Sequence, residues 1–284
     1  MYSLANAVIR PLAQREICRA QEWAIAEGWN PGPCDPFVFE SADPGSLLTL
    51  EVRGNLAGAI SAVRFSPRFG HLGFFVVAPA YRRSAHAWHL LQAGFERLGE
   101  RTIGGDGVPE HVRAYSRAGL KPHHVTVSYT GVAPSVPRPW HAGVQVMRDN
   151  AIHPLVAYDT ESAGFSRAAF LEAWTGLPAS LTLGIHRSGR LSGFGVARRC
   201  HQGVRLGPFQ ADDPEMADAL FDALAGFAPG EKITIDCPET NAEAAKLARK
   251  KGLVAGETTI RLYRGLPPPE RPERIYSLMS FSLG

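Results

Sequence analysis

The chain contains the same unit twice. The stretch LLTLEVRGNLAGAISAVRF from Leu47 and the stretch SLTLGIHRSGRLSGFGVARR from Ser180 share one pattern. Each has an apolar run, a turn containing Gly, and a second run of small and β-branched residues, which is the signature of a β-hairpin. Gly58 and Gly193 stand at matching points, an offset of 135 residues. Two helical segments, ending AYSRAGL and LARKKGL, close on Gly119 and Gly252, an offset of 133. Near-equal offsets at two separate places point to a duplicated unit rather than to two chance hairpins.

The order of elements within each half is also shared. In the first half VIRPL reads as a strand, with a helix near Gln14 to Glu27 after it. The hairpin follows, then a strand HLGFFVV and a helix from about Ser84 to Leu98. Ala87, Leu90, Leu91, Gly94 and Phe95 fall there at helical spacing. A short strand RTIGG, a helix to Ala118 and a strand HVTVSYT complete the unit. The second half predicts strands near Leu181, Leu191, Val204, Lys232 and Thr258. Its helices are Phe165–Trp174, Pro214–Phe227 and Asn241–Lys251. PPPERPE reads as a loop before a last strand, YSLMSFSL. Between the halves lies GVAPSVPRPWHAG, whose prolines favour extended backbone and mark a linker. The expected fold is α/β, with domains over 1–138 and 139–284. Each is expected to be a mixed, mostly antiparallel twisted sheet flanked by helices.

Composition narrows the class of partner. The net charge is +3, and basic residues cluster only in pairs such as Arg82-Arg83, Arg198-Arg199 and Lys250-Lys251. A nucleic-acid surface needs a basic stripe with stacking aromatics, so no nucleic-acid partner is expected. No apolar run has the length of a membrane span, and the N-terminal stretch lacks a signal-peptide pattern. Four widely spaced cysteines without a C-x-x-C pair suit a reducing compartment. The expectation is a cytoplasmic protein with no membrane partner and a small anionic ligand. His86 and His89 lie three apart on a helix without a third ligand, so no metal is expected. His123 and His124 should point to opposite faces of a strand.

The element order, and the run VVAPAYRRSAHAWHL after the fourth strand, resemble the GNAT superfamily of acyl-CoA N-acyltransferases. The resemblance covers both halves. In that superfamily the fourth strand leads into a loop of pattern Arg/Gln-x-x-Gly-x-Gly/Ala. That loop and the next helix N-terminus hold the coenzyme A diphosphate. Here Arg82 takes the first position, Ala85 the first glycine position and Ala87 the second. A helix N-terminus supplies unpaired N–H donors and partial positive charge, to which Arg82 and Arg83 add. The resemblance therefore implies acetyl-CoA as acyl donor, held by Val77, Arg82, Arg83, Ser84, Ala85, His86 and Ala87. The backbone N–H near Val77 would meet the thioester carbonyl.

Family members also carry a Tyr four residues before the Gly that ends the last helix, which protonates or hydrogen-bonds the departing thiolate. Tyr115 stands four before Gly119. The loop EGWNPGPCDPF occupies the place that covers the acceptor, with Trp29 as a wall and Asn30 and Asp35 as amine ligands. Asp106 is expected at the carboxyl end of the fifth strand as a base or ammonium anchor, and Glu40 is a weaker base candidate. The acceptor is then a primary amine on a small molecule or peptide.

The second half departs from both motifs. Asp212 and Asp213 sit where the cationic loop would be, and Ala248 takes the tyrosine's place. It resembles a degenerate GNAT-like domain of the Acetyltransf_18 type. The runs GWNPG, GGDGV, GPFQAD, DCPETNAEA, YRG and the terminal FSLG are similar to a group of bacterial tandem GNAT proteins. The alternative is a non-catalytic ligand-binding or regulatory protein that kept the fold.

Overall fold

The computed structural model describes residues 6–147 and 152–283. Residues 1–5, at the start of the N-terminal stretch, and Gly284, the end of FSLG, lie outside the described residues. The first half runs β1 (Ala7–Pro11), α1 (Ile17–Ala26), α2 (Asp35–Ala42), β2 (Leu47–Val52), β3 (Asn55–Arg64) and β4 (Phe69–Val77). It continues through α3 (Ala85–Leu98), β5 (Thr102–Gly107), α4 (Val112–Arg117) and β6 (Lys121–Val132). The second half runs β7 (Val144–Val146), α5 (Ile152–Ala163), α6 (Ala168–Thr175), β8 (Ser180–Arg187), β9 (Arg190–Arg199) and β10 (Val204–Ala211). It ends α7 (Pro214–Ala225), β11 (Lys232–Pro238), α8 (Ala242–Lys250), β12 (Val254–Arg264) and β13 (Ile275–Ser277).

The repeat is visible at single turns. Arg53 and Gly54 both have positive φ between β2 and β3, as do Ser188 and Gly189 between β8 and β9. Two successive left-handed residues make the turn whose twist suits a hairpin, and Gly fills the second place in each. Register repeats too: Gly58 pairs with Val77, and Gly193 pairs with Ala211. Helix α3 starts on Ser84, whose hydroxyl accepts from the His86 N–H; α7 starts on Asp213, whose carboxylate accepts from Met216.

The strands form one continuous sheet, in the order β1-β2-β3-β4-β5-β12-β6-β11-β10-β9-β8-β7. Only β4–β5 and β10–β11 are parallel among these neighbours. The order shows an exchange that the sequence does not announce. The last long strand of the first half, β6, lies against β11 of the second. The last long strand of the second half, β12, lies against β5 of the first. The two exchanged strands pair with each other at the centre. Each half of the sheet is thus completed by the other.

Three cores follow. One packs α3 on the first half, with Leu72, Leu90, Phe95 and Ile103, and it includes Leu262 from the exchanged β12. One packs α7 and α8 on the second half, with Leu206, Leu220 and Ile235, and it includes Tyr129 from β6. The third joins the halves, setting Ile17, Phe39 and Val76 against Phe170, Trp174 and Phe194. No described helix is long and apolar enough to cross a membrane.

Candidate active site

The parallel pair β4–β5 holds together only from Phe69 to Leu72, opposite Thr102 to Gly105. Beyond Leu72 the strands part. Gly73, Val76 and Val77 keep their β3 partners, but the register slips between Ala59 and Ser61, where Phe74 takes a φ of 46°. A bulge of this kind turns backbone groups outward. The Ala78 N–H is spent on the Ala57 carbonyl, on the β3 side. Alternation along an extended strand therefore aims the Val77 N–H to the other edge, into the gap. The Val77 carbonyl accepts from Arg82 Nε at 2.9 Å.

At the top of this gap stands the α3 N-terminus. Ala85 is its first helical residue and lies outside the left-handed region; the left-handed residue is Arg83, with a φ of 53°. Replacement of the motif's first Gly by Ala therefore costs no backbone strain at that position. Ser84 and Tyr81 tie the loop down through a hydroxyl-to-carbonyl bond. Arg82 turns toward α1, forming an ion pair with Glu27. Arg83 is exposed and forms no ion pair among the described residues. His86 is buried against the edge of Tyr81, and Ala87 is half-buried.

Tyr115 lies on the same side of the sheet as α3. Its ring is pressed on the end of β5, where a Cβ at Gly107 would fall 2.5 Å from Tyr115 Cε2. The ring is half-buried, and its hydroxyl makes no hydrogen bond among the described residues. Burial raises the phenol's pKa above its ordinary value, which keeps it protonated and able to donate. On the opposite side of the sheet the Ser282 backbone crosses Gly73, where any Cβ would lie 2.4 Å from its carbonyl oxygen.

The acceptor-side expectations fare unequally. Trp29 meets Phe74 edge-on at 6.2 Å, beside the bulge. Asn30 instead clamps the second half, donating to the Gln202 carbonyl and accepting from the Gln202 N–H, both at 2.8 Å. Asp35 is buried, accepts from the Gly32 N–H at 2.9 Å and pairs with Arg198 at 3.0 Å. Neither polar group is free for an amine, because the contact between halves consumes both. Glu40 accepts from the Gly45 N–H and closes a local turn.

Asp106 is also corrected. It is wholly buried, and Arg261 of the exchanged β12 grips both its oxygens at 2.9 Å, with His71 Nε2 3.7 Å away. Burial raises the carboxyl above its ordinary value, against the pull of Arg261. Burial and Arg261 drive the His71 pKa well down, leaving the ring neutral. A carboxylate held in a two-pronged guanidinium grip supports structure and is not free to take a proton. His123 and His124 do not part to opposite faces. Arg261 faces His124 and Leu262 faces Pro122, so His123 is an inserted residue and the two Nδ1 atoms meet at 2.8 Å. Only the two adjacent histidines hint at this in the sequence.

The second half's gap differs. There β10 and β11 pair over Val204–Leu206 and then separate, but β13 lies along β10, with Phe209 opposite Ser277 and Gln210 opposite Ile275. Leu278 N–H donates to the Asp236 carbonyl of β11, closing the space. Asp213 caps α7 and pairs with Arg187 at 2.8 Å. Asp212 accepts from Tyr158 at 2.9 Å and pairs with Arg274 at 3.0 Å. Ala248 is fully buried.

Comparison with known proteins agrees with this geometry. Residues 14–114 match the family model described as Acetyltransferase (GNAT) family, and residues 155–277 match that described as Acetyltransferase (GNAT) domain. A Pseudoalteromonas protein named holothin acyltransferase is 29% identical over 97% of this chain and 94% of its own length. Among solved structures, a putative acetyltransferase from Pyrococcus horikoshii superposes with a TM-score of 0.83 at 20% identity, over 100% of this chain and 98% of that one. A tandem GNAT protein from the clavulanic acid biosynthesis pathway gives 0.60 at 14% identity, covering 90% and 98%. Saccharomyces cerevisiae N-myristoyltransferase with bound myristoyl-CoA gives 0.67 at 10%, covering 99% and 88%. With a GNAT match in each half and this fold around them, the chain belongs to the GNAT acyltransferases as a tandem member.

Proposed function

We propose that the first half transfers an acyl group, acetyl in the simplest case, from acetyl-CoA directly to a primary amine of a small molecule or peptide. The observation that carries this is the open β4–β5 gap. It has an inward N–H at Val77, a helix N-terminus above it and an unpartnered phenol beside it. The second gap is filled by β13. The diphosphate rests on the N–H groups that open α3 and on Arg83, while Arg82 fixes the loop through Val77 and Glu27. The neutral amine attacks the thioester carbon, and the carbonyl oxygen takes the Val77 N–H as negative charge develops. The carbon–sulfur bond then breaks, Tyr115 hands its proton to the leaving sulfur, and the proton shed by the new amide nitrogen passes through water to restore the phenol. Asp106 serves by holding Arg261 at the base of the gap. The relative named for holothin supports acyl transfer as the reaction.

Calorimetry with acetyl-CoA tests the reading. One coenzyme per chain is expected, with turnover falling in Tyr115→Phe while affinity holds. Two equivalent sites per chain would overturn the assignment to the first half alone, and no binding would replace the reading with a non-catalytic use of the fold.

A further inference from the structure

On the side of the sheet away from α3, a cavity of about 30 Å³ lies where the two halves meet, bounded by Phe69, His124, Arg167, Gln210, Arg261 and Glu270, among others. Arg261, which holds Asp106 near the end of β5, links it to the gap, while Phe69 in the paired end of β4 forms a wall farther from it. Two of its walls carry buried polar atoms without a partner, Gln210 Oε1 and His124 Nε2, in side chains 1% and 6% exposed. The amide of Gln210 has only one sensible orientation. Its Nε2 donates to Asp159 at 2.8 Å, so the oxygen is left to accept. Desolvation by burial, with Arg261 adding to it, brings the His124 pKa down to about 3, so that ring is uncharged.

Charge at the cavity is unbalanced. Arg261 faces Asp106, and Arg167 is bonded to Asp159 at 2.8 and 2.9 Å. Glu270 accepts from the Tyr263 hydroxyl and forms no ion pair among the described residues. Among the described residues one carboxylate is thus in excess, lining the same cavity as a fixed acceptor oxygen. Such a surround selects a donor that carries positive charge.

We propose that this cavity is an acceptor-side subsite for a small ammonium or amidinium group, received by Glu270 and Gln210. The inference rests on the acyltransferase reading above, and it assigns recognition of the acceptor to the second half. Glu270 lies in a half-exposed loop, so its replacement spares the core. Methylammonium is a suitable probe, with acetate as the anionic counterpart, followed by saturation-transfer NMR titration. Wild type should bind methylammonium and ignore acetate. Glu270→Gln should bind about tenfold more weakly, as expected when a charged acceptor becomes neutral, and Glu270→Asp should restore part of the affinity. Absence of methylammonium binding, equal binding in Glu270→Gln, or binding of acetate would each overturn the assignment. Acetyl-CoA calorimetry on the same preparations separates the two claims. Loss of coenzyme binding alone refutes the transferase reading, and loss of the Glu270-dependent cation alone refutes the subsite.

Discussion

The gap between β4 and β5 and the gap between β10 and β11 occupy matching places in a repeated unit and differ in charge, side chain and cover. Both open where a parallel pair parts, beside a strand whose register slips. In the first, the helix start above carries Arg83 and the edge carries Tyr115. In the second, the helix start carries Asp213, the tyrosine's place holds buried Ala248, and β13 is hydrogen-bonded to the exposed edge. If the first gap holds the acyl donor as proposed, the second lacks the means three times over. Charge at the corresponding helix start is reversed, the tyrosine is replaced by alanine, and the strand edge is paired. Each alone would weaken the site; the paired edge also protects backbone groups that would otherwise be left without partners.

The comparison can be broken most forcefully at the Asp106–Arg261 pair, where the two halves lock. Arg261→Met leaves a buried carboxylate without its cation, and about 3–5 kcal/mol of stability should be lost. Urea unfolding should still show one cooperative transition, because neither half has a complete sheet without the other. Two separate transitions would show that the halves are independent after all.

Tyr115→Phe should lower turnover about a hundredfold if the phenol acts as general acid, with acetyl-CoA affinity unchanged by calorimetry. The sign of its pH dependence follows from its burial. A phenol donates only while protonated, and a raised pKa extends that state above the ordinary value near 10. The ratio of wild-type to Phe turnover should therefore stay level from pH 7 to 10. A fall in the ratio within that window would assign proton donation elsewhere.

Reversing charge at the loop is the next test. Arg83→Glu should weaken acetyl-CoA about tenfold, or about 1.4 kcal/mol. The matching change at the other helix start, Asp213→Ala, should leave coenzyme affinity untouched. It removes a helix cap and should cost about 1 kcal/mol in thermal or urea denaturation.

Much of this architecture was legible before the fold was known. Hairpins with Gly in the turn, Gly after each closing helix and the helix start at Ser84 are local features, set by backbone geometry within a few residues. The asymmetry at Asp212, Asp213 and Ala248 was equally readable, because charge and side-chain type need no tertiary information. The strand exchange was not. An apolar alternating segment such as HVTVSYT satisfies a neighbour of either half equally well, and nothing in its own residues chooses between them. The same gap explains the misreadings at Asn30, Asp35 and Asp106. A carboxylate or amide in a turn near a site looks identical whether it meets a ligand or an arginine folded in from far along the chain, as Arg198 and Arg261 are. Helices α2 and α5 are not legible in the sequence because each carries a proline in its first turn and no clear apolar stripe, so packing rather than propensity makes them.

The exchange of β6 and β12 also orders events in time. The strand that completes the first half, and the arginine that neutralises Asp106, lie 155 residues downstream of that aspartate. On a ribosome the first half emerges with an unpaired β5 edge and must wait for most of the second half to be made before its sheet can close. Contacts this distant in sequence make closure slow, since a long loop must be ordered before any reward is gained. Nascent chains halted near residue 138 should therefore be captured by chaperones and cut readily by proteases. Emergence of β12, rather than of Tyr115, becomes the moment at which the first half acquires its shape.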